Sequence, residues 1–379
     1  MKIAYYLPSL YISGGIERII TLKANYFAEQ FGYETVIITS EQQGRQPYFP
    51  LSEKVTHVDL NVVIDHAKGP LLRKIIIYPF KYYRFKKRFT RLLDQLKPDI
   101  TISTLRRELR FINSLKDGSI KIGEFHVNRI NSSWHQTNTD NPVLRRISNR
   151  NYARFVKNLQ SLTKVVLLTR EESTYWAELS NYVVIPNFIT IPPLLETSSC
   201  TQRRVIAVGR ATRQKGFDLL IDAWKIVASK HPDWTLNIYG EGDKTQYQRQ
   251  IAAHHIEDSC HLRSAVADIA EKYAESSIFV LSSRYEGFGL VLIEAMACGV
   301  PPVAFDCPCG PKEIIQDGSD GLLVKTGNIE ELAEKICYLM ENEDVRKKMG
   351  QQSATNVSRY RIDRVSRQWK ELFESLLER

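Results

Sequence analysis

The chain has 379 residues, with 52 Lys and Arg against 43 Asp and Glu and a formal net charge of +9. That length predicts two domains, each able to bury its own core, and 43% apolar with 25% charged residues excludes a fibrous or low-complexity chain. The positive balance favours an anionic partner, whether nucleic acid, a membrane surface or phosphorylated small molecules. No stretch approaches the roughly 20 uninterrupted apolar residues of a membrane span. The start, "MKIAYYLPSLYISGG", reads as a strand entering a Gly turn rather than a signal peptide, so the expected location is cytoplasmic. Of six cysteines only Cys307 and Cys309 are close, and C-x-C with no second pair does not complete a zinc site. Reduced, structural thiols are the expectation.

In chain order, "KIAYYLP" is a strand, "SGGIERIITLKANYFAEQFG" a loop and amphipathic helix, "ETVIITS" and "VTHVDLN" two strands. After a basic segment, "RFTRLLDQLKPD" is helical, and "ITISTL", "KIGEFH" and "TKVVLLT" are strands. The theme restarts with strand "RRVIAVG", helix "FDLLIDAWKIVASKH", strand "WTLNIYG" and helix "TQYQRQIAAHHI". Helical "VADIAEKYAES", strand "SIFVLSS", helix "VLIEAMACG" and strands "PPVAF" and "GLLVKT" follow, and Asn328 with Glu331 opens a helix in a pattern close to a capping box. This alternation predicts two parallel sheets covered by helices, joined near Pro186–Gln202, a stretch rich in Pro, Ser and Thr. The expected division is 1–185, 186–357 and a C-terminal helical segment 358–379. Ligands in such sheets sit outside the carboxyl ends of the strands, so the chemistry is sought in the loops there.

Four stretches carry it. In "SLYISGGIER", Gly14 and Gly15 would let backbone approach an anion at a helix start, or form a plain turn; G-x-G-x-x-G is absent. In "VGRATRQKGFDLL", Arg210 and Lys215 at a strand's end suit a diphosphate, against the alternative of solvated loop charge. In "RYEGFGLVLIEA", Glu286 precedes a helix and Glu294 lies about a turn inside it, with the amides of Phe288, Gly289 and Leu290 at the entrance. Such carboxylates suit sugar hydroxyls, or an acid–base pair for glycoside hydrolysis, or, for Glu294, mere complementarity to the helix dipole. His126, past the strand "IGEFH", offers a donor to a hydroxyl or a structural imidazole. Between Lys68 and Arg91 nine basic residues and no acidic one are interleaved with Tyr78, Phe80, Tyr82, Tyr83, Phe85 and Phe89. That composition fits an anionic membrane surface or a nucleic-acid surface, with a solvated helix face as the plain alternative. No D-x-D triplet and no G-x-x-x-x-G-K-[ST] occurs.

"RYEGFGLVLIEAMACGVPPVAFDCPCGPKEIIQDGSDGLLV", with "SGGIER", "VVLLT…VVIPN" and "VGRATRQKGFDLLIDAW", resembles glycosyltransferase family 4 over most of the chain. The resemblance implies the GT-B fold, two facing Rossmann-like domains, with "YRIDRVSRQWKELFESLLER" similar to the last helix that crosses back to the N-terminal domain. It implies a retaining, metal-independent transferase that moves a hexose or N-acetylhexosamine from a nucleotide diphosphate sugar, UDP before GDP. The style of the motifs resembles bacterial enzymes of surface polysaccharide assembly, which implies a glycan acceptor, lipid-linked at the inner membrane face, and no nucleic acid. On the same resemblance Arg210 and Lys215 neutralise the diphosphate with backbone at Gly14 and Gly15. Glu294 accepts from the ribose, Glu286 and the 288–290 amides meet the transferred sugar, and His126 approaches it from the N-terminal domain. Ser264 stands where family members often carry Gly, in a loop that commonly meets the base. The rival readings are a nucleotide-sugar epimerase on the same two-domain plan and a basic nucleic-acid-binding protein. Glu286 and Lys215 are both expected to be exposed, so that alanine at either would spare the fold.

Overall fold

The computed structural model describes residues 1–64, 71–126, 128–129, 141–192, 196–266 and 268–378. The first half contains β1 (Lys2–Tyr6), α1 (Gly15–Gln30), β2 (Glu34–Thr39), β3 (Val55–Asp59), α2 (Leu71–Leu96), β4 (Ile100–Ser103), β5 (Ile120–Glu124), α3 (Pro142–Gln160), β6 (Lys164–Leu167), α4 (Arg170–Thr174) and β7 (Tyr182–Val184). The second contains β8 (Arg204–Val208), α5 (Phe217–Lys230), β9 (Thr235–Tyr239), α6 (Thr245–His254), β10 (Cys260–Arg263), α7 (Ile269–Ala274), β11 (Ile278–Leu281), α8 (Leu290–Ala297), β12 (Pro302–Phe305), α9 (Pro311–Ile314) and β13 (Leu322–Val324). Helices α10 (Ile329–Glu341), α11 (Glu343–Val357) and α12 (Ile362–Leu377) complete it.

Two units result. The first comprises Met1–Leu168, Glu172–Ile185 and Asp363–Arg379, the second Thr169–Glu171 and Pro186–Ile362. Each is built on a parallel sheet, of order β3-β2-β1-β4-β5-β6-β7 in the first and β10-β9-β8-β11-β12-β13 in the second. Both are Rossmann-like, as the alternation predicts. In each the strand order reverses once, between β1 and β4 and between β8 and β11, and the loops leaving those strands flank the crevice. The central strands are near-continuous apolar runs because both faces are covered; β1 and β11 are buried over almost their whole length.

Helix starts follow local chemistry. Asn141 caps α3 by accepting from the amides of Val143 and Leu144, with Pro142 in the first turn. Asn328 caps α10 by accepting from Glu331 N at 3.2 Å, but the carboxylate of Glu331 takes the Asn328 side-chain amide at 3.0 Å, so the reciprocal backbone bond of a capping box is not made. Helix α2 begins 17 residues before the "RFTRLLDQLKPD" stretch and runs through Pro79. Helix α3 splits its apolar residues between its two halves, α11 lacks a clean apolar stripe in sequence, and the short strand β10 carries the polar "CHLR".

The core of the first unit is aromatic. Tyr6, Phe85, Phe89 and Phe111 meet at ring separations of 5.2–5.8 Å. Elsewhere in the unit a buried ion pair joins Lys23 of α1 and Glu124 of β5, and the Trp369 ring of α12 covers the ammonium at 4.1 Å. Burial pulls the Lys23 pKa down and Glu124 opposes that shift. Phe373 packs edge-on against Phe27 at 5.6 Å, so α12 is a structural part of this unit. Replacing Trp369 by Ala removes a fully buried ring and uncovers the ion pair. We expect a loss of about 3–5 kcal/mol, read as a lower urea midpoint of the first unit; an unchanged midpoint would mean that α12 contributes little to it.

Candidate active site

In the second unit, the loop after β8 and the loop after β11 leave adjacent strands at the switch point and are laced together. Ser282 Oγ donates to Lys215 O at 2.9 Å, Gln214 Nε2 to Tyr285 O at 3.0 Å, and Arg284 N to Gln214 O at 2.8 Å. The Arg284 guanidinium forks onto Asp218 at 2.8 and 2.6 Å and reaches Arg213 O. That fork holds the Asp218 carboxyl below its usual range. Gly216 makes the approach possible. Its φ is +63°, and a Cβ there would stand 2.0 Å from Ser282 O.

This lacing brings together two residues 71 apart. Lys215 Nζ lies 2.7 Å from Glu286 Oε1, and Ser283 Oγ donates to the same oxygen at 2.6 Å. Glu286 is 6% exposed and Lys215 is also largely covered, which corrects the expectation that both are exposed. The reason is mutual: each side chain folds onto the other across the loops rather than into solvent. Arg210 differs. It is exposed and has no ion-pair partner among the described residues.

Helix α8 starts at Gly289, whose φ of +99° turns the chain into the helix. Among the described residues, no acceptor meets the amides of Phe288, Gly289 and Leu290. Amides so placed at a helix entrance have the chemistry to receive an anion or a hydroxyl oxygen. Glu294, at the fifth helical position, is buried and accepts from Thr190 Oγ1. It lies past the first turn, so dipole complementarity alone does not explain it.

The first unit holds the remaining candidates at the carboxyl ends of β1 and β5. Gly14 is the cap residue of α1 and Gly15 its first residue, and the Glu17 carboxylate curls back so that a Cβ on Gly14 would stand 2.0 Å from its Oε2. His126 follows β5. Its side chain is 4% exposed, with Nε2 at 3.5 Å from Glu124 Oε1 and no hydrogen-bond partner. Burial pushes its pKa down to about 4, against the pull of Glu124, so the imidazole is neutral at neutral pH. Nearby after β4, Glu108 is buried and accepts from Ser103 Oγ at 2.5 Å and Arg106 N at 3.0 Å. Burial pushes it up to about 7, the hydrogen bonds opposing.

The basic aromatic segment divides. Lys68 lies outside the described residues. Phe85 and Phe89 are fully buried, Tyr82 is half-buried, and Arg88 donates to Leu60 O and Asn61 O. Phe80, Tyr78 and Tyr83 are exposed, as are Arg84, Lys86, Lys87 and Arg91. All six cysteines are free and buried, with Cys260 and Cys298 pushed by burial up to about 12. Among the described residues no His, Cys, Asp and Glu cluster is arranged to hold a metal, and no helix is long and apolar enough to cross a membrane.

The lacing residues Ser283, Gln214, Arg284 and Asp218, the Glu294 partner Thr190, and the pair Lys23–Glu124 are additions that the sequence reading missed. Ser283 and Arg284 sit inside the "SSRYEGFG" stretch, which was their only signal.

Residues 197–355 match the family model of glycosyl transferases group 1. An uncharacterized glycosyltransferase of Haemophilus influenzae is 29% identical over 97% of this chain and 99% of its own. The amylovoran biosynthesis glycosyltransferase AmsD of Erwinia amylovora is 35% identical over 55% of this chain, which spans 61% of that relative. Among solved structures, a variant of S. aureus TarM in complex with fondaparinux, alpha-GlcNAc-glycerol and UDP superposes with a TM-score of 0.78, at 18% identity over 98% of this chain and 99% of that one. The fold is that of the GT-B glycosyltransferases with which it superposes, and the group 1 match falls on the second unit.

The two buried acids and bases of the first unit give opposite pH dependences. A His with a depressed folded pKa stays neutral in the fold while the unfolded chain takes a proton. Its stabilisation is therefore complete above about pH 6.5 and lost as the pH falls towards 4. A Glu with a raised folded pKa stabilises below about pH 4.5 and loses that contribution as the pH rises through 7. Relative to His126→Gln, the wild type should gain on the order of 3 kcal/mol between pH 4 and 6.5; relative to Glu108→Gln it should lose a similar amount between pH 4.5 and 7. Urea midpoints at several pH values measure both, and a pH-independent difference would show that the group titrates alike folded and unfolded.

Proposed function

We propose that the protein is a retaining glycosyltransferase of family 4 that takes a hexose or N-acetylhexosamine from a nucleotide diphosphate sugar, UDP rather than GDP. The acceptor in this reading is a lipid-linked glycan of surface polysaccharide biosynthesis, met at the cytoplasmic face of a membrane to which the exposed cations of the Lys68–Arg91 segment are drawn. The observation that carries the reading is the Lys215–Glu286 pair at the switch point, beside three amides with no acceptor and the exposed Arg210. Positive charge there suits a diphosphate, while a buried carboxylate fixed by Lys215 and Ser283 suits sugar hydroxyls. AmsD, a glycosyltransferase of amylovoran biosynthesis, supports the polysaccharide part, and TarM, solved in complex with alpha-GlcNAc-glycerol and UDP, supports the UDP part.

In this mechanism Arg210 and Lys215 bind the diphosphate and stabilise the charge that grows on it as the glycosidic bond breaks. The departing diphosphate takes the proton of the attacking acceptor hydroxyl on the same face of the sugar, so configuration is retained. Glu286 and the 288–290 amides orient the sugar, and Glu294 accepts from the ribose. The amides of Gly14 and Gly15 add to the diphosphate contact. His126, neutral at working pH, serves as a hydrogen-bond donor and not as a charged acid. No step calls for a metal.

Calorimetric titration with UDP, GDP and ADP in the presence of a chelator tests the donor site. We expect UDP to bind, and Arg210→Ala to weaken it at least about tenfold with an unchanged melting temperature, since that side chain supports nothing in the fold. Lys215→Ala leaves a covered carboxylate without its cation and costs about 3 kcal/mol of stability. The pair Lys215→Met with Glu286→Gln is therefore the cleaner variant, expected to fold and to turn over at least about 100-fold more slowly. Binding of all three nucleotides alike, or of none, would remove the assignment, and a product of inverted anomeric configuration would remove retention.

A further inference from the structure

The first four turns of α3 carry two features that neither the fold nor the proposed chemistry uses. Val143, Leu144 and Ile147 are 64, 53 and 51% exposed. At 3.6 residues per turn they share a sector of about 100°. The core-facing residues of the same helix, Phe155, Val156 and Leu159, lie on a stripe rotated by about 120° from that sector. The helix thus has two apolar stripes, one serving the core at its C-terminal half and one facing outwards at its N-terminal half. Arg146, Arg150 and Arg154 line one border of the outward stripe. All three are exposed, none pairs with a carboxylate among the described residues, and α3 contains no acidic residue.

Cations left unpaired beside an exposed aliphatic stripe are an unusual combination for a surface in contact with water alone, where apolar side chains are dispersed and cations find counter-charges. An interface that offers negative charge next to hydrocarbon satisfies both at once. We infer that the N-terminal half of α3 is a docking surface for anionic lipid, with Val143, Leu144 and Ile147 entering the headgroup boundary and the three arginines meeting phosphates. Nucleic acid would meet the arginines as well, but the stripe they border is aliphatic and offers no ring for a base to stack on. The surface belongs to a different helix from the α2 segment, which has placed two of its aromatics in the core and folded Arg88 onto backbone carbonyls. It goes beyond the donor and acceptor assignments, and its test makes no use of them.

The test is sedimentation of the full chain with vesicles of phosphatidylcholine alone, or with about a third of phosphatidylglycerol. The wild type should partition onto the anionic vesicles and not onto the neutral ones. Leu144→Glu with Ile147→Glu should lower that partition at least tenfold, and Arg146→Gln with Arg150→Gln several-fold, with melting temperature and UDP titration unchanged because these side chains are outside the core. Phe80→Ser with Tyr83→Ser on α2 should have the smaller effect. Unchanged partition in both α3 variants would overturn the proposal, as would equal binding to neutral vesicles or none to either. A wild type that self-associates through this face, with dissociation in the Glu variant, would assign it to a second copy instead. Loss of RNA retention in the Arg variant without loss of vesicle binding would assign it to nucleic acid.

Discussion

The lacing of the loop after β8 to the loop after β11 is the constraint on which the candidate site rests. Neighbouring parallel strands deliver the two loops side by side, but delivery alone would leave Lys215 and Glu286 as two solvated charges. The approach of Gly216 to the Ser282 carbonyl, the Arg284–Asp218 fork and the Gln214–Tyr285 bond fix the loops in register. The Lys215–Glu286 contact then forms with most of its rotamer freedom already removed, which is the condition for a charged pair to be worth more than an exposed surface bridge. The result is a carboxylate held in one orientation, next to an amide-lined helix entrance, with a second cation free on the same loop.

The first unit solves a different problem. It buries ionisable groups of its own, next to its sheet. Lys23, Glu124, His126 and Glu108 all lie inside or at the edge of its core. Each is tolerable because something compensates: a counter-ion and an indole face for Lys23, neutrality for His126, and a Ser103 hydroxyl with an amide for Glu108. Because the imidazole and the Glu108 carboxyl shift in opposite senses, their contributions to stability largely offset one another in mildly acid solution. The wild type thereby hides two titrations that single substitutions expose.

Much of this was legible in the sequence, and the boundary of legibility has a physical cause. Apolar strand runs and Gly-bearing turns after them are local signals, so both sheets, the positions of Glu286, Arg210 and Lys215 in their loops and that of Glu294 in α8 could be read directly. Pairing between residues 71 positions apart was not legible, because it depends on β8 lying beside β11, and that order is a tertiary fact. The same is true of Lys23, which sits on an amphipathic helix and would be taken for a solvent-facing residue until Glu124 and Trp369 are seen around it. The basic aromatic segment misleads in the opposite way. Its aromatics look alike in one dimension, yet the 3.6-residue repeat sends Phe85 and Phe89 inwards and leaves Phe80 and Tyr83 outside.

The assignment of α12 to the first unit has a consequence for biosynthesis. Residues 186–362, nearly all of the second unit, are contiguous in the chain, so it can acquire its fold while synthesis proceeds. The first unit is translated earlier, yet it stays incomplete until residues 363–377 have emerged, because Trp369 and Phe373 must still close over Lys23 and Phe27. On the ribosome, the half that is made first is therefore the half that is finished last.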